Sequence, residues 1–240
     1  MMQNILKNMC NRTVGDQTIV EVTQIKPEEE YHLFLPTAGD VLNITEQYNQ
    51  IMFFYEAGIS QITAKLEILN REFQACHDRN PIEDIKSRIK SPESIKEKMI
   101  RQKIPLTVSG MVKNIMDIAG VRVVCPFISD VYHIAGLLLK QSDIEKIKIK
   151  DYIKSPKSNG YRSLHLSVMI TVYFSDHKCA VPVEIQLRTI AMEFWASLEH
   201  QLRYKKSREF TQEMQEQLKE CADIVTQADE CMQNLAGQWL

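Results

Sequence analysis

From Leu164 onward the chain keeps a strict two-residue alternation. Leu164, Leu166, Val168, Ile170, Val172 and Phe174 share one parity, and Ser163, His165, Ser167, Met169, Thr171 and Tyr173 share the other. That period belongs to a strand with one buried face. The polar loop "SDHK" follows, and "AVPVEIQLRT" then alternates again, with Val183, Ile185 and Leu187 inward and Glu184, Gln186 and Arg188 outward. Together they predict an antiparallel pair whose apolar face must meet a core. The opposite face carries His165 on one strand and Glu184, Gln186 and Arg188 on its partner. Facing side chains on such strands lie roughly 5 Å apart. Taken alone, this is a solvated face with cross-strand ion pairs. Tyr161, Ser163 and His165 also share a parity directly after the turn Asn159-Gly160, which shifts the balance toward a site. The Tyr161 ring is either a stacking platform for a planar base or a cap on the end of the core.

The rest of the chain predicts helices around this sheet. Leu42, Ile51, Phe54, Tyr55, Ile62, Leu66, Leu69, Phe73 and Cys76 recur at spacings near three and four, giving a helix from an Asp40 N-cap to about Asp78, with Gly58 as a weak point or break. Residues 1–39 read as an irregular arm. A connector becomes strand-like at "SRIK". Ser91-Pro92-Glu93 opens a helix running through Arg101, with a capping Ser, Pro at the first helical position and an acid in the first turn. "LTVSGMVKNIMDIAG" reads as a further helix ending at Gly120, and "VRVVCPF" as a buried strand. Residues 129–141 form a short helix and "IEKIKIKDYIK" a strand. Helices follow from Thr189 to about Lys206 and from 209 to 236. The last carries a near-heptad stripe of Phe210, Met214, Leu218, Cys221, Val225, Ala228, Met232 and Leu235. The fold class expected is α/β, mixed and α+β-like: a mixed sheet flanked by helices, with long helices at both ends. The expected domains are the arm 1–39, a catalytic domain 40–206 and a C-terminal helix 207–240 for oligomerisation.

The net charge of −2 over 240 residues argues against a dedicated nucleic-acid surface, so any anion site is local. The six Cys form no C-x-x-C pair and no zinc-ligand spacing. No apolar run approaches the roughly 18 residues of a membrane span, and no signal peptide is evident. The expected location is the reducing cytoplasm.

One local anion site is suggested by residues 86–103, where Lys86, Arg88, Lys90, Lys96, Lys98, Arg101 and Lys103 face only Glu93 and Glu97. Ser94, Lys98 and Arg101 fall on one helical stripe. A helix start with free N–H groups, a Ser and a row of cations suits a polyphosphate better than a merely solvated face. In "DIAGVRVV", Asp117 is predicted at a helix C-terminus, which the helix dipole disfavours. It is tolerated at the surface or held for a cation. With Glu184 it has the makings of a Mg²⁺ site, since Mg²⁺ takes one or two carboxylates plus substrate phosphates.

"SRIKSPESIKEKM", "DIAGVRVVCPF", "SPKSNGYRSLH", "VEIQLRT" and "AMEFWASLEH", in this order from Ser87 to His200, resemble the synthetase domain of the RelA/SpoT alarmone enzymes, and more narrowly the stand-alone small alarmone synthetases. The resemblance implies a nucleotidyltransferase-like synthetase fold. It also implies transfer of pyrophosphate from ATP to the 3′-hydroxyl of GDP or GTP, with Mg²⁺. By the same resemblance Arg88 and Arg122 sandwich the adenine, and Lys90, Ser94, Lys98 and Arg101 hold the ATP phosphates. Asp117 and Glu184 bind Mg²⁺, with Glu184 also deprotonating the acceptor hydroxyl, and Tyr161 stacks on guanine. Lys154, Lys157, His165, Gln186 and Arg188 hold acceptor or transferred phosphates and ribose. Trp195 is expected to pack, and His200 either packs or takes part. His77-Asp78 is taken as chance, so synthesis without hydrolysis is expected. A homotetramer built through terminal helices is the implied assembly.

Two other readings stand beside this one. A nucleotidyltransferase of the polymerase-β type would use a related sheet, but the Gly-Ser start and paired D-x-D are missing. A non-catalytic nucleotide- or RNA-binding module would use the same basic strip.

Overall fold

The computed structural model of the chain describes residues 38–203 and 211–239. The elements in order are α1 (Ala38–Cys76), β1 (Asp84–Ile89), α2 (Pro92–Arg101), α3 (Val108–Asn114), β2 (Ala119–Cys125), α4 (Ile128–Leu139), β3 (Ile144–Asp151), β4 (Leu164–Tyr173), β5 (Lys178–Thr189), α5 (Ile190–Arg203) and α6 (Gln212–Trp239). The alternating pair is the hairpin β4–β5, and it forms the centre of a five-stranded mixed sheet in the order β1-β2-β5-β4-β3. β2 and β5 run parallel, and the other pairs run antiparallel.

The period of two sorts the two faces. Val121, Val123, Leu166, Ile170, Val181, Val183, Ile185 and Leu187 are essentially inaccessible, in one cluster with Ile62 and Leu66 of α1 and Ile134 and Leu138 of α4. Those two helices therefore cover the apolar face. The polar face carries a row across all five strands, Lys86–Arg122–Gln186–His165–Lys150, and beside it Arg88–Gly120–Glu184–Ser167–Lys148. A bulge between Lys146 and Lys148 re-phases β3, so that Lys148 and Lys150 join these rows while Lys146 stays opposite Val168.

Gly58 does not break the helix. α1 runs unbroken through it, and the glycine lets the helix lie close on β5. A Cβ there would stand 2.7 Å from Val181 Cγ1 and 3.2 Å from Val183 Cγ2. Gly58→Ala gains about 1 kcal/mol of helix propensity, but the β-branched valine cannot swing aside. Overpacking of about 1–3 kcal/mol is expected to win. Urea unfolding should show a lower midpoint; a higher one would mean that helix and sheet separate freely.

Other boundaries differ from expectation. α1 begins at Ala38, ahead of Asp40. The helix before β2 ends at Asn114, whose side chain donates to the Gly110 carbonyl at 2.8 Å. Ile115, in extended backbone, and Ile118, at a bend just before β2, are β-branched and fully buried. Asp117 therefore sits in a connector, three residues beyond the end of α3, and not in a helix. β3 stops at Asp151, since the Asp151 carboxylate accepts from the N–H groups of Ile153 and Lys154 and turns the chain. Residues 1–37 and Phe210 lie outside the described residues. α6 already has a partner in its own chain: Leu218, Ala222 and Val225 pack with Trp195 and Ala196 of α5. Met232 and Leu235, further along the same stripe, stay exposed.

Candidate active site

Two clusters meet on the polar face. In the first, Ser91 caps α2, its hydroxyl accepting from the Ser94 N–H at 3.3 Å. Ile95 and Met99 anchor the helix in the core and turn Ser94, Lys98 and Arg101 outward. Lys90 and Lys98 both reach Asp117, at 2.5 Å to Oδ2 and 2.8 Å to Oδ1. Burial pushes the Asp117 carboxyl up, but the two ammoniums outweigh it and hold the group below the usual carboxylate range. Arg88 and Arg101 are exposed.

The second cluster forms around the turn. Gly160 takes φ +88°, and its N–H donates to the Lys157 carbonyl at 2.9 Å. The Tyr161 N–H donates to Asn159 Oδ1 at 3.2 Å. Gly160 serves a second purpose, since a Cβ there would lie 2.4 Å from Ala222 Cβ on α6. The Tyr161 hydroxyl accepts from Arg188 Nη2 at 2.7 Å and meets His165 Nε2 at 2.8 Å. In the neutral ring this makes Nε2 the acceptor and turns Nδ1–H toward Glu184 Oε1, a longer contact of 3.5 Å. Glu184 Oε2 accepts from Gln186 Nε2 at 2.8 Å. Burial raises the Glu184 carboxyl, as does the charge of Asp117. His165 and Gln186 outweigh them, so the group is held below its usual range. The Asp117 effect places the two acids within electrostatic reach. Lys157 Nζ stands 4.7 Å from the centroids of both Tyr152 and Tyr161, a cation–π seat in which burial, then Lys150, lowers its pKa.

Lys154 is largely exposed, near the Tyr132 ring at 5.3 Å and Asp151 at 3.9 Å. One of the expected phosphate contacts is otherwise engaged. Arg188, with only 6% of its side chain exposed, is committed to Glu193, Tyr161 and Gln186. Arg162 faces away from Tyr161, as parity predicts, donating to the Ile153 carbonyl and pairing with Glu230. Trp195 is buried with its indole N–H on the Leu218 carbonyl, and His200 is exposed.

Sequence reasoning passed over Tyr152 and Glu193. Glu193 Oε1 pairs with Arg122 Nη1 and Oε2 with Arg188 Nη1, each at 2.7 Å. Burial raises its carboxyl, but Arg188, Arg122 and Ser197 hold it below the usual range. A depressed carboxylate stabilises the fold above its unfolded pKa, about 4.3, and loses that contribution as pH falls through the lower folded value. The stability gap between wild type and Glu193→Gln in urea should therefore be full near pH 7 and narrow toward about pH 3. A gap independent of pH would contradict the assignment.

An acid pair flanked by a cationic helix and an aromatic turn, on one open sheet face, is the arrangement of a nucleotide-transferring enzyme. Residues 87–209 match the family model described as "Region found in RelA / SpoT proteins", and the chain belongs to this family. It is 42% identical over 193 residues to GTP pyrophosphokinase YwaC of Bacillus subtilis, across 80% of this chain and 92% of that protein. It is 32% identical to GTP pyrophosphokinase YjbM of the same organism, across 80% and 90%. Among solved structures it resembles small alarmone synthetase 1 from Bacillus subtilis bound to its product pppGpp, with a TM-score of 0.75 and 32% identity over 81% of this chain and 98% of that one. Small alarmone synthetase 2 from the same organism gives a TM-score of 0.71 and 40% identity, over 80% and 98%.

Proposed function

We propose that this chain transfers the pyrophosphate of ATP to the 3′-hydroxyl of GTP or GDP, giving AMP and pppGpp or ppGpp. The observation that carries the reading is the sheet face itself. The Asp117 and Glu184 carboxylates lie between the cations of α2 and the Tyr161–His165 platform. The relatives named GTP pyrophosphokinase support it, as do the solved small alarmone synthetases that hold pppGpp and AMPCPP.

In this reading Arg88 and Arg122 flank the adenine, while Lys90, Ser94, Lys98 and Arg101 hold the ATP phosphates. Tyr161 stacks on guanine, and Lys157, His165 and Gln186 meet the acceptor's ribose and phosphates. Arg188, already engaged elsewhere, is given no phosphate, whereas the exposed Lys154 is free to meet one. The donor set fits Mg²⁺: two hard carboxylates within electrostatic reach of each other, Glu184 on β5 opposite Gly120 and Asp117 in the connector that enters β2. Among the described residues no three metal-ligating side chains gather, so phosphate and water oxygens complete such a shell. When bound, the cation supplies charge neutralisation on the phosphates. Glu184, ionised at neutral pH, accepts the proton of the 3′-hydroxyl. Lys90 and Lys98 exchange Asp117 for phosphate oxygens. The face as a whole aligns the two nucleotides for in-line attack.

The protein incubated with ATP, GTP and Mg²⁺ should yield AMP and pppGpp when the nucleotides are separated. Pyrophosphate release with a nucleotidylated acceptor, or binding without turnover, would overturn the proposal. Tyr161→Ala should weaken GTP binding by about 1–3 kcal/mol, the value of one base stacked on an aromatic ring, and leave ATP binding unaltered. Calorimetric titration checks this, and equal losses for both nucleotides would make Tyr161 structural.

A homotetramer in the cytoplasm completes the proposal. Supporting the first is an exposed apolar stripe on α5, Ile190, Phe194, Leu198 and Leu202. The free thiols of Cys76, Cys125, Cys179, Cys221 and Cys231 support a reducing compartment.

A further inference from the structure

Arg122 and Arg188 stand on neighbouring parallel strands of the same face, Arg122 opposite Gln186 and Val124 opposite Arg188. Two guanidiniums so close repel, and each needs its planar fork fixed before it can orient anything else. One side chain does both. Glu193, in the first turn of α5, gives one oxygen to each arginine at 2.7 Å, and Ser197 one turn on donates to its Oε1 at 3.0 Å. Arg188 passes the constraint on. Its Nη2 donates to the Tyr161 hydroxyl at 2.7 Å, and its guanidinium lies 5.1 Å from the Tyr161 ring centroid. With 6% of its side chain exposed it cannot itself reach a substrate, whereas Arg122, at 29%, is open to one.

We infer that Glu193 is a positioning residue that sets both nucleotide platforms at once, Arg122 directly and Tyr161 through Arg188. The inference rests on the function proposed above. Glu193 touches neither nucleotide in this scheme. Its effect is carried along two separable branches, and that separability distinguishes it from a residue that merely stabilises α5.

The test is a mutant cycle in the full chain, with steady-state kinetics run well below each variant's melting temperature. Glu193→Gln should raise the KM for ATP and the KM for GTP by roughly tenfold each, about what one charge-assisted hydrogen bond is worth. In a Tyr161→Phe background, which lacks the hydroxyl that Arg188 holds, the same change should raise the KM for ATP only. In an Arg122→Ala background it should raise the KM for GTP only. A rise in either KM that survives in both backgrounds would overturn the inference, as would a lowered Tm with unchanged KM values. If wild type gives no AMP and pppGpp, the proposed reaction alone falls. The same cycle, read as the Kd of fluorescent ATP and GTP analogues, then decides the role of Glu193 by the same criteria.

Discussion

Glu184→Gln is expected to cut turnover by roughly 10²–10⁴-fold, the usual contribution of a positioned general base, while ATP and GTP still bind. The amide keeps the size of the side chain and can still meet Gln186 and His165. What it loses is the negative charge and the capacity to take a proton. In the native protein that charge is secured against burial: the largest influence on Glu184 is desolvation, which favours the neutral acid, and His165 and Gln186 reverse it. Glu184 therefore enters the reaction ionised, opposite Gly120 on one side and Ser167 on the other, at the centre of the sheet face. Single-turnover measurements with saturating nucleotides isolate the chemical step. Unchanged turnover would remove Glu184 from the mechanism, and loss of binding together with turnover would make it a substrate ligand only.

The second large effect concerns stability. Asp130, 2% exposed in the first turn of α4, accepts from both Nη atoms of Arg79, each at 2.6 Å. The pair ties the connector after α1 to the helix that covers the apolar face. Arg79→Ala leaves the carboxylate buried without its counter-ion. Because 37% of the Arg79 side chain is exposed, breaking the pair from one side costs less than the ~3–5 kcal/mol of a fully buried pair, on the order of 2 kcal/mol. Urea unfolding should show that loss, and Arg79→Leu combined with Asp130→Leu should recover most of it, because an apolar pair carries no desolvation penalty. A single-variant loss below about 1 kcal/mol, the range of an exposed ion pair, would mean that the pair is solvated. The same region keeps Cys125 a thiol: burial, then the Asp130 charge, pushes its pKa up to about 12.

Much of the site was legible because it lies on strands. A period of two fixes the face of every residue once one face is apolar, so His165, Glu184 and Gln186 could be grouped from spacing alone, and Arg162 set apart from Tyr161. The stripe on α2 was legible for the parallel reason that Ile95 and Met99 decide which side of the helix is free. Connectors carry no period. Asp117 reads as helical because no proline or turn signal interrupts the stretch before Gly120. The fully buried Ile115 and Ile118 show that tertiary burial, not helix propensity, governs that stretch. Glu193 was invisible for another reason. Its partner Arg122 lies 71 residues away, and only the parallel pairing of β2 with β5 brings that arginine beside Arg188. An acid in the first turn of a helix has an ordinary explanation in the helix dipole, so nothing local marked this one. Gly58 was misread for a similar reason: its role depends on Val181, which no sequence-local rule connects to it.

The central claim is that an intact pyrophosphate group moves from ATP to a guanosine 3′-hydroxyl on this sheet face. Parallel reactions with GTP, Mg²⁺ and ATP labelled at either the α- or the γ-phosphate test it most directly. The account predicts α-label only in AMP and γ-label only in pppGpp, with no free labelled pyrophosphate. Label from the α-phosphate appearing in the guanosine product, with release of γ-labelled pyrophosphate, would contradict it.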